Sequence, residues 1–233
     1  FNTPDPAVID RSEFEVGWAE DISDIVDIEP QTSVDATDYL ELAKESDVLI
    51  DATGPDPISA GATDTVSSCG KSIVTLSASM TGDFSDYWPR PAVVTWSKAT
   101  GFVTTKSDSR ATLGVGWYPG YEPDNPIEVF YEFCSTLGLP SPPSTEIITG
   151  REPVQDSRSF SECAFELEGC EVRLAGDACG LVNGVNNFGN VRSARSGVKA
   201  LSTSPSEYVD WLGRETKIYW SGTVFRESTG NHR

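Results

Sequence analysis

The stretch from Pro91 to Cys134, PAVVTWSKATGFVTTKSDSRATLGVGWYPGYEPDNPIEVFYEFC, limits the fold more than any other. Gly, Pro, Asn and Asp interrupt it every few residues, so no long helix can run through it. The runs between the breaks hold β-branched and aromatic side chains at strand length: Val93, Val94 and Trp96; Phe102 and Val103; Leu113, Val115 and Trp117; and Val129, Tyr131 and Phe133. They predict a β-meander. Between the last two runs lies WYPGYEPDNP, in which Pro119, Pro123 and Pro126 restrict the backbone, so that a partner loses less entropy in ordering it. Its rings can stack on a sugar face or anchor a protein contact. Trp117, Tyr118 and Tyr121 are therefore the candidate binding residues. The competing reading ends a strand in the core with Trp117 and Tyr118 and leaves Tyr121 alone exposed. The Asn-rich loop Asn183–Asn190 is the next candidate.

A chain of 233 residues, 38% hydrophobic and with six Trp, can bury a core of its own. No run approaches the roughly 18 apolar residues of a membrane span, and Phe1 is neither an initiator Met nor the start of a signal peptide, so the chain reads as a mature or excised piece with no membrane insertion. The formal net charge of −19 opposes phosphate binding, which argues against nucleic acid as a direct partner. Solubility explains such acidity, and so does a high-salt habitat, which the scarcity of Lys (six, against eleven Arg) also fits.

Taken in order, residues 1–12 hold two prolines and read as an extended arm. Glu13–Glu20 alternates Phe14, Val16 and Trp18 against Glu13, Glu15 and Gly17, the pattern of a half-buried strand. Residues 34–45 carry helical spacing behind an Asp35 or Thr37 N-cap. Asp47–Thr53, a weak helix over 59–69 and Ser72–Ser77 together predict a βαβ unit. A Ser/Pro-rich connection covers 135–145. Cys163–Leu167 and Cys170–Leu174, joined at Glu168-Gly169, predict a β-hairpin in which Glu166 can face Arg173. The run GLVNGVNNFGNVRSARSG reads as irregular chain. Ser204-Pro205-Ser206-Glu207 is a capping box with Pro at the first helical position, and Gly213 stands where a C-cap belongs. Lys217–Phe225 is apolar on both faces and predicts a closing strand, internal to a sheet or at a homodimer seam. The sum is a single mainly β domain over 1–233, an antiparallel barrel or sandwich with short helices near 35–45, 60–69 and 205–212.

Catalytic groups mostly fail on inventory. His232 is the one histidine, which leaves no Ser-His-Asp or Cys-His machine and no His-based metal site. A carboxylate pair for a glycosidase is available, but among 36 acids any given pair is first of all solvated surface. The five cysteines, Cys69, Cys134, Cys163, Cys170 and Cys179, lack the paired spacing of a zinc site; buried thiols are the expectation, with one disulfide among the last three as the alternative. No catalytic residue, cofactor or metal is expected.

Two resemblances bear on function. SDVLIDATGP, followed by an amphipathic spacer, CGKS and IVTLSASM, resembles the later part of the nucleotide-binding half of amino-acid dehydrogenases, over about 35 residues. The glycine-rich strand-to-helix turn of that family does not precede it, so the resemblance implies at most an NAD(P)-binding Rossmann-type dehydrogenase fragment. In size and overall character, with many short strands and long aromatic or Asn-rich loops, the chain is similar to the projecting capsid spike domains of small non-enveloped RNA viruses of the astrovirus type. That second resemblance implies a non-enzymatic domain on the virion surface, extracellular, that binds a host receptor or glycan and packs with other capsid subunits. A halophilic virion or cell-surface protein is the neighbouring expectation.

Overall fold

The protein is described by a computed structural model, over residues 11–68, 70, 72–88, 92–96, 99–153, 159–182 and 189–215. Its elements run α1 (Arg11–Ile22), α2 (Ala36–Glu45), β1 (Val48–Asp51), α3 (Ser59–Ala62), β2 (Ser72–Thr81), β3 (Ala92–Trp96), β4 (Ala99–Thr105), β5 (Arg110–Trp117), α4 (Pro126–Thr136), β6 (Ile148–Pro153), β7 (Ala164–Leu167), β8 (Cys170–Leu174) and α5 (Asn190–Ser202). A further helix, α6, covers 205–215. The strands form a sheet of order β3-β4-β5-β2-β6 and a second of order β1-β8-β7. The chain divides into two compact units. One holds the described residues up to Ser33 with Thr75–Gly116 and Glu122–Gly150, and the other holds Val34–Val74, Trp117–Tyr121 and Arg151 onward.

In the first unit the meander holds for three strands. β3 pairs antiparallel with β4, Ala92 opposite Val103 and Trp96 opposite Ala99. β4 and β5 are neighbours, joined by a short turn in which the Lys106 and Ser107 N–H groups donate to Arg110 O. Gly114 on β5 makes room for Phe102 on β4, since a Cβ there would lie 2.2 Å from the ring. The fourth expected strand, Val129–Phe133, is the helix α4. Asn125 caps it by accepting from the Glu128 N–H, Pro126 stands in its first turn, and Phe130, Phe133 and Cys134 bury one face at helical spacing. Glu13–Glu20 is also helical rather than extended. Phe14, Val16 and Trp18 are all exposed, so the alternation has no buried face to serve, while Phe14 and Trp18 stack at the four-residue spacing of a helix.

The second unit overturns the all-β expectation most directly. β1 runs parallel to β8, with Val48 opposite Glu171 and Asp51 opposite Leu174, and β8 pairs antiparallel with β7. Parallel pairing needs a long crossover and covered faces, so this is an α/β arrangement and not an antiparallel barrel or sandwich. Tyr39 and Ala43 of α2 pack with Leu49, Cys170 and Val172. Ile50, one residue along β1 and so on the opposite face, joins Leu174, Ala200 of α5 and Tyr208, Trp211 and Leu212 of α6. The expected βαβ unit over 47–77 is not one unit, because β1 and β2 belong to different sheets.

The hairpin stands as read, with Glu168 and Gly169 both at positive φ (54° and 86°), as a two-residue primed turn demands. Its register differs from the expected facing pair: Arg173 lies opposite Ala164, and Glu166 opposite Glu171. The capping box is present in full, since Ser204 N–H donates to Glu207 Oε2 (2.9 Å) and Glu207 N–H to Ser204 Oγ (3.4 Å). α6 continues through Gly213 to residue 215. Cys134, Cys163, Cys170 and Cys179 are buried free thiols. Of the arm expected over residues 1–12, Arg11 and Ser12 open the helix α1 instead, and the rest lies outside the described residues, as do Cys69 and the closing strand over 217–225 with the dimer seam built on it.

Candidate functional site

Open α/β sheets place ligands at the carboxyl ends of their parallel strands. β8 leaves its end through Ala175 into a single 3-10 turn, Gly176–Cys179, bracketed by Gly176 at φ 63° and Gly180 at φ 67°. Gly176 N–H donates to Ser196 Oγ (2.8 Å), and a Cβ on Gly176 would rest 3.5 Å from Ser193 Cβ, so the turn lies against the first half of α5. α5 begins behind Gly189, which supplies no capping oxygen, and its first turn holds no acid. The Ser193 N–H takes Gly189 O (2.8 Å), so the N–H groups ahead of it have no acceptor within the helix. A Cβ on Gly189 would lie 3.2 Å from Val182 Cγ2 and 3.9 Å from Asp177 Oδ1, which puts the helix start beside that carboxylate.

The charges here are unusual for a helix start. Arg192 in the first turn of α5 is 7% exposed, and its Nη1 donates to Leu181 O (3.2 Å). A cation there opposes the helix macrodipole, whose positive end is at the N-terminus. At the other end of α5 the dipole is answered, because Arg173 Nη1 donates to Ala200 O and, at 2.6 Å, to Thr203 O. Glu152 on β6 is half-buried, and burial followed by the Asp177 charge pushes its carboxyl up to about 7. The strand end itself is rigidly held: Tyr208 Oη donates to Leu174 O (2.7 Å), and the Cys179 thiol reaches the same carbonyl at 2.8 Å. The start of α5 thus brings its backbone N–H groups close to Asp177, with buried Arg192 in its first turn, and the Asp177 charge reaches Glu152. These groups can hold an anionic group and, beside it, a group with hydroxyl or N–H hydrogens. Among the described residues no cluster suits a metal ion, and no helix is long and apolar enough to cross a membrane.

None of these residues stood out in the sequence. GDACG directly after the strand CEVRLA is the signal that was available, a strand-to-glycine turn ahead of a helix. The candidate rings differ in exposure. Trp117 (4% exposed) and Tyr118 (7%) are buried, Tyr121 is 41% exposed, and the Tyr121 N–H closes a turn onto Tyr118 O (3.0 Å). Of the Asn-rich candidate loop, residues 183–188 lie outside the described residues, and Asn190 opens α5.

No family model and no curated protein matches the sequence. Solved structures do match the fold. A geranylgeranyl bacteriochlorophyll reductase-like protein from Thermoplasma acidophilum superposes with a TM-score of 0.57 at 16% identity, over 79% of this chain and 51% of that one. The flavin-dependent brominase Bmp2 gives 0.50 at 15% identity, over 80% and 55%. BrvH, a flavin-dependent halogenase from Brevundimonas sp. BAL3, gives 0.50 at 16% identity, over 73% and 35%. The chain therefore spans about half the length of the first two and a third of the third.

This likeness corrects the sequence-based expectation of function. The fold is shared with flavin-dependent enzymes and reductase-like proteins, not with capsid spikes, so the spike resemblance fails. With it fall the non-enzymatic attachment domain and its host receptor, glycan and capsid-subunit partners. The parallel β1–β8 pair is what the expected antiparallel barrel or sandwich does not contain. The Rossmann-type alternative accords with the fold better.

Proposed function

We propose that this chain contributes part of the cofactor site of a flavin-dependent oxidoreductase acting on a small-molecule substrate. The observation that carries it is the start of α5 at the carboxyl end of β8, where Gly189 supplies no capping side chain, buried Arg192 stands in the first turn and Asp177 lies beside it. The fold likeness to flavin-dependent enzymes supports it. A dinucleotide suits this donor set. The α5 N–H groups and Arg192 take its anionic part, Asp177 accepts from hydroxyl or N–H groups, and the lack of a Cβ at Gly176 and Gly189 keeps the backbone open to close approach. When bound, a flavin supplies reversible two-electron transfer. The chain's own part is to bind, orient and neutralise. The end of β1 offers no second cradle among the described residues, because Asp51 already occupies the donors there.

Titration of the purified chain with FAD, followed by quenching of flavin fluorescence, tests this, with FMN and NADH as comparison ligands. Saturable quenching by FAD is expected, with Arg192→Gln and Asp177→Asn each weakening it tenfold or more, the order of one lost charge-assisted hydrogen bond. At a hundred times Kd, ligand adds about 2.7 kcal/mol, roughly 5–10 °C in Tm for a chain of this size. Binding of NADH in preference to FAD turns the assignment to the nicotinamide alternative. No saturable response to FAD overturns it.

A further inference from the structure

Glu152 holds a carboxyl oxygen that the described residues leave unserved. Its Oε2 is shielded from solvent and has no hydrogen-bond partner among the described residues. A carboxylate oxygen left in that state is costly unless it carries a proton or meets a partner that arrives later. The charged group acting on it is Asp177, presented by the turn after β8. Its chain neighbour Arg151 gives no relief, since that guanidinium goes to Asp56 Oδ2 (2.9 Å) and Ser72 Oγ (3.1 Å). Burial and the Asp177 charge both favour the protonated carboxyl at Glu152.

We propose that Glu152 is a proton-bearing positioning residue, whose carboxyl O–H donates a hydrogen bond to an acceptor atom of the dinucleotide held at the start of α5, while the Asp177 carboxylate accepts from the same ligand. This rests on the cofactor site proposed above. The division of labour follows from chemistry: an ionised carboxylate only accepts, a protonated one donates, and a polyol or amide segment of a ligand needs both. Loss of the proton as pH rises turns the donor into a second buried negative charge, which repels an anionic ligand and leaves the acceptor atom unserved. The carboxyl's position near pH 7 puts this change inside the working range.

The test is the FAD affinity of the full chain between pH 5.5 and 8.5 for wild type, Glu152→Gln and Arg192→Gln. Wild type is expected to bind evenly up to about pH 6.5 and then to lose about tenfold per pH unit, the slope for loss of one required proton. Glu152→Gln, whose amide donates at every pH, is expected to give a flat profile and to bind at least fivefold tighter than wild type at pH 8.5. Arg192→Gln should weaken binding at all pH values without moving the midpoint. If Glu152→Gln does not fold, Glu152→Ala serves, with weak and pH-independent binding expected. A pH dependence that persists unchanged in the Glu152 variant, or a wild-type profile that is flat, overturns the inference while leaving the cofactor site standing. Failure of wild type to bind FAD at any pH overturns both.

Discussion

At the carboxyl end of β1 the Asp51 carboxylate accepts from Thr53 N–H (3.1 Å), Thr53 Oγ1 (2.6 Å) and Ser59 N–H (2.9 Å), whereas the start of α5 beside the end of β8 has no capping side chain among the described residues and a cation in its first turn. The two strands lie side by side and parallel, with Asp51 opposite Leu174, so the contrast is not one of position in the sheet. It is one of satisfaction. Asp51 is 1% exposed, and its oxygens tie down a turn and the first N–H of α3, that of Ser59. It also helps hold the Tyr39 phenol above its usual range, after burial, the larger cause.

The sharpest way to break this comparison is to remove Asp51. Asp51→Ala leaves the Thr53 and Ser59 donors without their acceptor, at an expected cost of about 3–5 kcal/mol, read by urea denaturation. An effect below about 1 kcal/mol would mean the end of β1 is not closed by this carboxylate.

Next in size is Glu152→Gln measured for stability without ligand. The carboxyl lies at about 7 in the folded chain and near its ordinary 4.5 when unfolded. Its favourable contribution is therefore complete below about pH 4.5 and is lost as pH rises through about 7. The variant should match wild type near pH 4.5 and exceed it by about 2–3 kcal/mol at pH 8, the worth of roughly two pKa units. Parallel stability curves for the two proteins would show Glu152 to be solvated.

The smallest stability effect belongs to Gly189→Ser. The hydroxyl gives α5 the cap it lacks, while its Cβ presses Val182 at 3.2 Å, so the net change should stay within about 0.5 kcal/mol. FAD affinity should nonetheless fall about tenfold, because the new cap competes for the same N–H groups. Equal affinity would place the anion elsewhere.

Legibility followed the range of the forces involved. The Ser204 capping box, the Asp35-capped α2 and the Glu168-Gly169 hairpin are set by residues within five positions of one another, and each could be read directly. α1 misled because exposed apolar residues alternate as well as buried ones do. In α4, Val129 to Phe133 alternates like a strand, and the Asn125-Pro126 start has the composition of a loop. The pairing of β1 with β8 joins residues more than 120 positions apart, beyond any local pattern. α5 escaped notice for a further reason. Its buried face is Arg192, Ser196 and Ala200, so no apolar periodicity marks it, and its N-cap Gly189 carries no capping side chain to signal the start.

The Cys179 thiol offers a clock for the candidate site. It is shut in by Leu174 O at 2.8 Å and the Tyr208 hydroxyl at 3.5 Å, beneath the helix that carries Tyr208 and Trp211. A maleimide can reach that sulfur only when α6 lifts away from the strand end, so the rate of labelling at Cys179, resolved by mass spectrometry from Cys134, Cys163 and Cys170, counts those openings one molecule at a time.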